Sequence, residues 1–231
     1  MQEQSDTSTP LTGAVQELAS EVVSALQGGD HRSALPRADS QGRDERLTLA
    51  ALRVLGADVL LPTALSPKQS VDEAGLALMD KSLLAHTPSA AAPAAARWSH
   101  WAMGRAVERL RTPSTGTPEP DTQWLHGTSW QVLTHQLAVL SALAVPGATC
   151  GVSLLAASRP VDLSRGFVRA VRRRDWLQAA GAGRWLTLLE GVPPSLGLDT
   201  GLEFVAQMGA SDARVALQVQ AARTLRPGAA Q

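Results

Sequence analysis

A chain of 231 residues, 44% hydrophobic and 18% charged, is too apolar for a disordered polymer and long enough to bury a core in one large domain or two small ones. Its 21 basic and 21 acidic residues cancel, and its single cysteine, Cys150, excludes an intramolecular disulfide. Ile, Tyr and Asn are absent and Phe and Lys occur twice each, so Leu and Ala fill the apolar positions. Both are strong helix formers, while few of the β-branched and aromatic residues that strands favour remain. The fold class expected is all-α. The missing residue types share AT-rich codons, which points to a GC-rich bacterial genome.

In chain order, residues 1–12 read as a polar tail with neither the basic start nor the apolar stretch of a secretory signal, so the cytoplasm is the expected location. The first helix carries Val15, Leu18, Val22 and Leu26 on one stripe and stops at Gly28–Gly29. After a polar segment, Leu52, Leu55 and Val59 mark a second helix, ended by Pro62. Ser66, Pro67 and Gln69 form a capping box for a third, which runs to about Ala85 with Leu76, Met79 and Leu83 inward. The Ala-rich stretch at 88–96 leads into a fourth, at 94–111. Residues 112–121, "TPSTGTPEPD", hold three prolines and no large apolar residue, and read as a linker between a helical part at 13–111 and another at 122–226.

Asp121 is expected to cap a helix whose Trp130, Leu133, Leu137, Leu140 and Ala144 make a narrow buried seam. No Asp, Glu, Lys or Arg occurs from Thr122 to Ser158, and residues 137–157 are long enough to span a bilayer. Pro146–Gly147 interrupts that stretch and no basic or Trp belt flanks it, so two buried helices meeting at a turn are favoured over a membrane span. Shorter helices follow at about 149–157, 163–174, 176–190, 200–208 and 212–225, with starts suggested by Asp162, Asp175, Asp199 and Ser211. The whole is a bundle of about nine helices, in one core or in two subdomains joined by the Pro-rich linker.

No phosphate-binding loop, C-x-x-C, H-E-x-x-H or G-x-S-x-G occurs. "GAGRW" at 181–185 supplies only two glycines of a dinucleotide fingerprint and follows no strand. No catalytic, metal or cofactor residue is therefore assigned, and no cofactor is expected. His100, His126 and His135 lie beside tryptophans on apolar helices, but the nine-residue spacing of the last two puts them on opposite sides of one helix. They read as hydrogen-bonded core or boundary residues, and Cys150 as a small core residue.

Two stretches remain as candidate surfaces. In "RWSHW", Trp98 and Trp101 lie one turn apart, either an exposed docking pair or, by preference, core anchors. "SRGFVRAVRRRDW", residues 164–176, sets Arg165, Arg169 and Arg172 on one helix face with Arg173 beside them, and Arg174 follows. Leu163, Phe167, Ala170 and Val171 form the opposite, buried face. Residues 151–190 hold seven Arg against three acids, whereas residues 1–50 hold eight acids against four bases. The arginine face then meets water, nucleic-acid phosphate, or the acidic region of its own or another chain.

The function expected is that of a non-catalytic helical interaction or regulatory protein, with a protein partner or self-association. A nucleic-acid-associated protein using the arginine face is the alternative, and an enzyme with a Trp/His-lined pocket the third reading.

Overall fold

The computed structural model describes residues 9–28, 44–65, 72–111 and 117–226, and among these every regular element is helical. The N-terminal tail ends sooner than composition suggests: helix α1 spans Pro10–Leu26. Thr9 caps it, its side chain accepting from the Thr12 amide, and Pro10 takes the first helical position, where a missing N–H costs nothing. Val15, Leu18 and Val22 are buried as their spacing requires.

Helix α2, Glu45–Leu55, is capped by Asp44 and breaks at Gly56, whose φ of 60° favours glycine. A 3₁₀ turn, Gly56–Leu60, leads into the short α3, Leu61–Leu65. Pro62 thus does not end the helix; it stands in the first turn of α3, where proline is tolerated. By length and composition this bent rod is the one candidate membrane span among the described residues, and it packs on α1, α4 and α5. Helix α4, Glu73–Ala85, is capped by Asp72, and the capping box read at Ser66, Pro67 and Gln69 lies outside the described residues. Helix α5 occupies Ala94–Arg111.

The charge-free stretch is broken twice. Asp121 starts only a 3₁₀ turn at Gln123–Leu125, and the chain reverses at Gly127 before Ser129 caps α6, Trp130–Val139. Leu133, Leu137, Leu140 and Ala144 are buried as the seam predicts, but Trp130 is only half-buried. A second reversal at Pro146–Gly147 precedes α7, Gly151–Ala157, so no helix runs through 137–157. Then follow α8 (Pro160–Arg172), α9 (Trp176–Leu186), α10 (Leu198–Met208) and α11 (Ala213–Thr224). Asp175 and Asp212 are caps, whereas Asp162 and Asp199 lie in first turns.

Helix α9 is the axis of the C-terminal half, packed by α6, α8, α10 and α11. Its sequence explains the position. In "AAGAGRWL" every residue from Ala179 to Leu186 is buried, and small side chains let neighbouring helices approach closely. A Cβ on Gly181 would stand 2.7 Å from the Ala138 carbonyl oxygen on α6, so these glycines serve packing rather than phosphate. Trp185 fixes the crossing by donating its indole N–H to the Leu137 carbonyl at 2.7 Å.

The two halves meet along α11. Val215, Val219 and Ala222 belong to the core around α9, while Leu217 joins the cluster formed by α1, α2, α4 and α5. Gln16 on α1 clasps the start of α11: its amide donates to Asp212 at 2.8 Å and its oxygen accepts from the Ala213 amide at 2.6 Å.

Candidate functional site: an arginine-lined groove on helix 8

Helix α8 begins with Pro160 at its first position and Asp162 in its first turn, and both favour a helix start. Leu163, Phe167 and Ala170 point into the core and Val171 is half-buried. Gly166 lies so close to Thr134 of α6 that any side chain there would collide with it. With that face anchored, Arg165, Arg169, Arg172 and Arg173 are held exposed in one row, as the sequence pattern requires.

The end of α8 is unusual. Arg174 has a φ of 58°, the only described non-glycine residue with positive φ. Its amide donates to the Val171 carbonyl and that of Asp175 to the Ala170 carbonyl, each at 3.0 Å. This is the Schellman pattern, which ordinarily places glycine at the left-handed position. An arginine there is strained by about 1–2 kcal/mol. Asp175 turns at once into α9, accepting from the Gln178 amide.

Arg165, Arg169, Arg172 and Arg173 line one side of a groove of about 670 Å³, and Trp130 and Leu196 belong to its other walls. The guanidinium of Arg169 lies over the Trp130 ring, 5.8 Å from its centroid, within cation–π range. Val161 and Val168 add exposed apolar surface, 47% and 42% accessible. Among the described residues, no acid lines the groove. Arg165 stands 3.5 Å from Asp162, and none of Arg169, Arg172, Arg173 or Arg174 pairs with an acid among the described residues. Arg174 lies beside the groove and outside its lining. Trp130, read from the sequence as core, is the residue at this site that spacing concealed: as the first residue of α6 it escapes the seam it begins.

The other stretch belongs to the core. Trp98 is fully buried and Trp101 is 9% exposed, in edge-to-face contact at 5.1 Å. Their indole N–H groups donate to the Asp121 and Thr117 carbonyls at 3.0 and 2.9 Å. The preferred reading of core anchors holds and the alternative of an exposed docking pair is corrected: the two pin the described end of the linker, residues 117–121, onto α5.

The histidines do not converge. His126 and His135 are exposed, not core, and His135 contacts Gln178. His100 is half-buried beside Trp101 in a recess of about 430 Å³ that also holds Asp80, Glu108 and Arg111. Burial, and then the charge of Arg53, hold its imidazole below the ordinary value, so it is poised neutral. The carboxylates there are engaged: Asp80 by Arg111, Glu108 by Arg105 and Thr117. No group of three or more candidate ligands for a metal occurs among the described residues.

One constellation escaped the sequence altogether. Arg184, counted among the basic residues of 151–190, is fully buried on α9. Its Nη1 donates to Asp58 of the 3₁₀ turn at 2.6 Å and to Gln218 of α11 at 2.9 Å. Gln218 in turn donates to the second Asp58 oxygen at 2.7 Å, and Arg184 Nε donates to the Ala144 carbonyl at 3.3 Å. The one available signal was the apolar run on both sides of Arg184. No family model, no curated protein and no solved structure matches the chain.

Proposed function

We propose that this chain is a non-catalytic binding protein whose α8 groove takes an acidic segment of a partner protein, in a regulatory role in the cytoplasm. The observation that carries the reading is the pairing of a row of arginines, unopposed by any lining acid among the described residues, with the apolar surface of Trp130, Val161, Val168 and Leu196. Arg165 has Asp162 to give up, whereas Arg169, Arg172 and Arg173, which pair with no acid among the described residues, offer planar donors to carboxylates directly. The apolar wall suits the hydrophobic side chains of an amphipathic acidic segment and has no use against a phosphate backbone.

Nucleic acid is the second reading, carried by the same guanidinium row. The whole chain is neutral, whereas nucleic-acid binders present a broad basic field. The test is fluorescence anisotropy with a labelled peptide of about fifteen residues, Glu-rich with interspersed Leu and Phe, against a labelled duplex of similar length. Saturable peptide binding that disappears in the Arg165→Gln, Arg169→Gln, Arg172→Gln variant supports the proposal. Tighter binding to duplex, with a steep salt slope that flattens in the variant, replaces it with the nucleic-acid reading. Sedimentation equilibrium at low and high salt tells whether the acidic partner is a second copy of the chain.

A further inference from the structure

The outward surface of α8 is split lengthwise. At about 100° per residue, Arg165, Arg169 and Arg173 fall on one edge, Val161, Ser164 and Val168 on the other, and Arg172 between them. Two neighbours fix which way each edge looks. Gly166 abuts Thr134 of α6, and Pro160 lies 3.5 Å from where a Cβ of Gly191 would stand. The arginine edge therefore faces the start of α6, where Arg169 covers Trp130, and the valine edge faces Pro193 and Leu196. The groove thus offers a basic row and an apolar row side by side, over about 18 Å of helix from Val161 to Arg173.

A segment lying here must present acidic and apolar side chains to one wall in two parallel rows. An extended chain does not, because its successive side chains point to opposite faces and each face carries a single row. The register differs too. Arg165, Arg169 and Arg172 are spaced by about 6 and 4.5 Å along the axis, the rise of four and then three helical residues. Same-face residues of a strand recur at roughly 6.7 Å and fall out of step by the third arginine. Carboxylates three or four residues apart on a helix meet all three, with room for an apolar stripe beside them.

The backbone points the same way. Every regular element among the described residues is helical, so the groove has no sheet edge to which a strand could add. Its lining side chains are donors or apolar, apart from the hydroxyls of Ser164 and Ser195, and Ser164 is buried with its proton on the Pro160 carbonyl. The N–H groups that an extended segment turned to this wall would lack acceptors, whereas a helix satisfies its own.

Resting on the proposal that this groove takes an acidic segment, we infer that the segment binds as an amphipathic α-helix of about three turns. Its carboxylates, three or four residues apart, face Arg165, Arg169 and Arg172, and its apolar stripe lies against Val161, Val168 and Leu196.

The test uses the whole chain and labelled peptides of about fifteen residues, read by fluorescence anisotropy and circular dichroism. Two peptides share one composition of Glu, Leu and Ala. The first sets Glu and Leu on adjacent stripes at helical spacing, and the second alternates them with period two. A third is the first with Pro at a central position facing away from the groove, which breaks the helix and spares the contacts. The first is expected to bind at least about tenfold more tightly than either of the others, and to gain helical ellipticity on binding. The double variant Val161→Ser, Val168→Ser alters only exposed side chains; it should weaken the first peptide severalfold and leave the second nearly unchanged. Equal affinity of the three peptides, or an unchanged affinity of the first for the valine variant, overturns the helical mode and leaves the acidic-segment proposal standing. If no peptide binds, or only duplex DNA does, both fall.

Discussion

Single residues carry the tension in this molecule. Arg174 occupies a left-handed position where glycine is free of strain, at the foot of an otherwise regular helix. Its side chain lies outside the groove lining, so Arg174→Gly should raise stability by up to about 1 kcal/mol and leave acidic-peptide affinity unchanged. Urea unfolding checks the first effect and anisotropy the second. A loss of binding would show that the strained arginine is retained for recognition. His100 and Asp212 contribute to the response to pH, as does Glu108, whose carboxyl the hydrogen bonds from Thr117 and Arg105 hold below its ordinary value. The folded His100 is held below its ordinary value of 6.5 by burial and by Arg53, so the unfolded chain takes up the proton more readily. Stability therefore falls as pH drops through about 6.5, and His100→Asn should flatten the slope of the urea midpoint there. For Asp212, burial pushes the carboxyl upward but the hydrogen bonds from Arg214 and Gln16 outweigh it, leaving it below its ordinary 3.8. Its contribution is present above that value and is lost as pH falls further, toward the folded value. Acid unfolding should thus come in two windows, which a series of urea titrations across mildly and strongly acidic pH will separate.

At the scale of one element, α8 divides its two faces between stability and recognition. Phe167 is 3% exposed and packs against Gly183 and Gly201 of the neighbouring helices, where any Cβ would crowd its ring. Phe167→Ala should cost roughly 3–5 kcal/mol, as truncation of a buried aromatic does. Replacing Arg165, Arg169 and Arg172 with Gln should shift stability by no more than about 1 kcal/mol for any one of them, because exposed charges contribute little to folding. The pair of results distinguishes an anchored recognition helix from a structural one. If the Gln variant unfolds, the row is not the solvated face that its exposure indicates.

The whole molecule is joined by polar groups as well as by apolar packing. Asp58, Arg184 and Gln218 come from three separate parts of the chain and are at most 8% exposed. Removing one member strands the others: Asp58→Asn should destabilise by about 3–5 kcal/mol, since it leaves the buried guanidinium uncompensated. Replacing all three with apolar residues of similar volume should cost much less than the single change. Comparing the two variants by urea unfolding shows whether the cluster specifies how the halves dock or simply stabilises them. A single variant as stable as the parent would mean that solvent reaches Arg184.

The helical class and most helix positions were legible in the sequence, because these depend on local chemistry. Leu and Ala in place of β-branched residues, aspartates ahead of apolar runs, and Pro146–Gly147 in an uncharged stretch all act within a turn or two of where they stand. The outward row at Arg165, Arg169 and Arg172 was legible for the same reason: an amphipathic helix sorts its own faces. Thr9–Pro10 and Pro62 were misread because proline stops a helix from within yet fits its first turn, and composition does not distinguish the two places. The remaining contacts join residues distant in sequence and emerge only on folding. Spacing could not reveal that Trp130 would underlie Arg169, or that Trp98 and Trp101 would find the Asp121 and Thr117 carbonyls. Nor could it reveal that Arg184 would meet Asp58 from the far side of the chain. An arginine carries the same charge in water or in a core, and only the packing of α9 among four helices settled which of the two Arg184 would occupy.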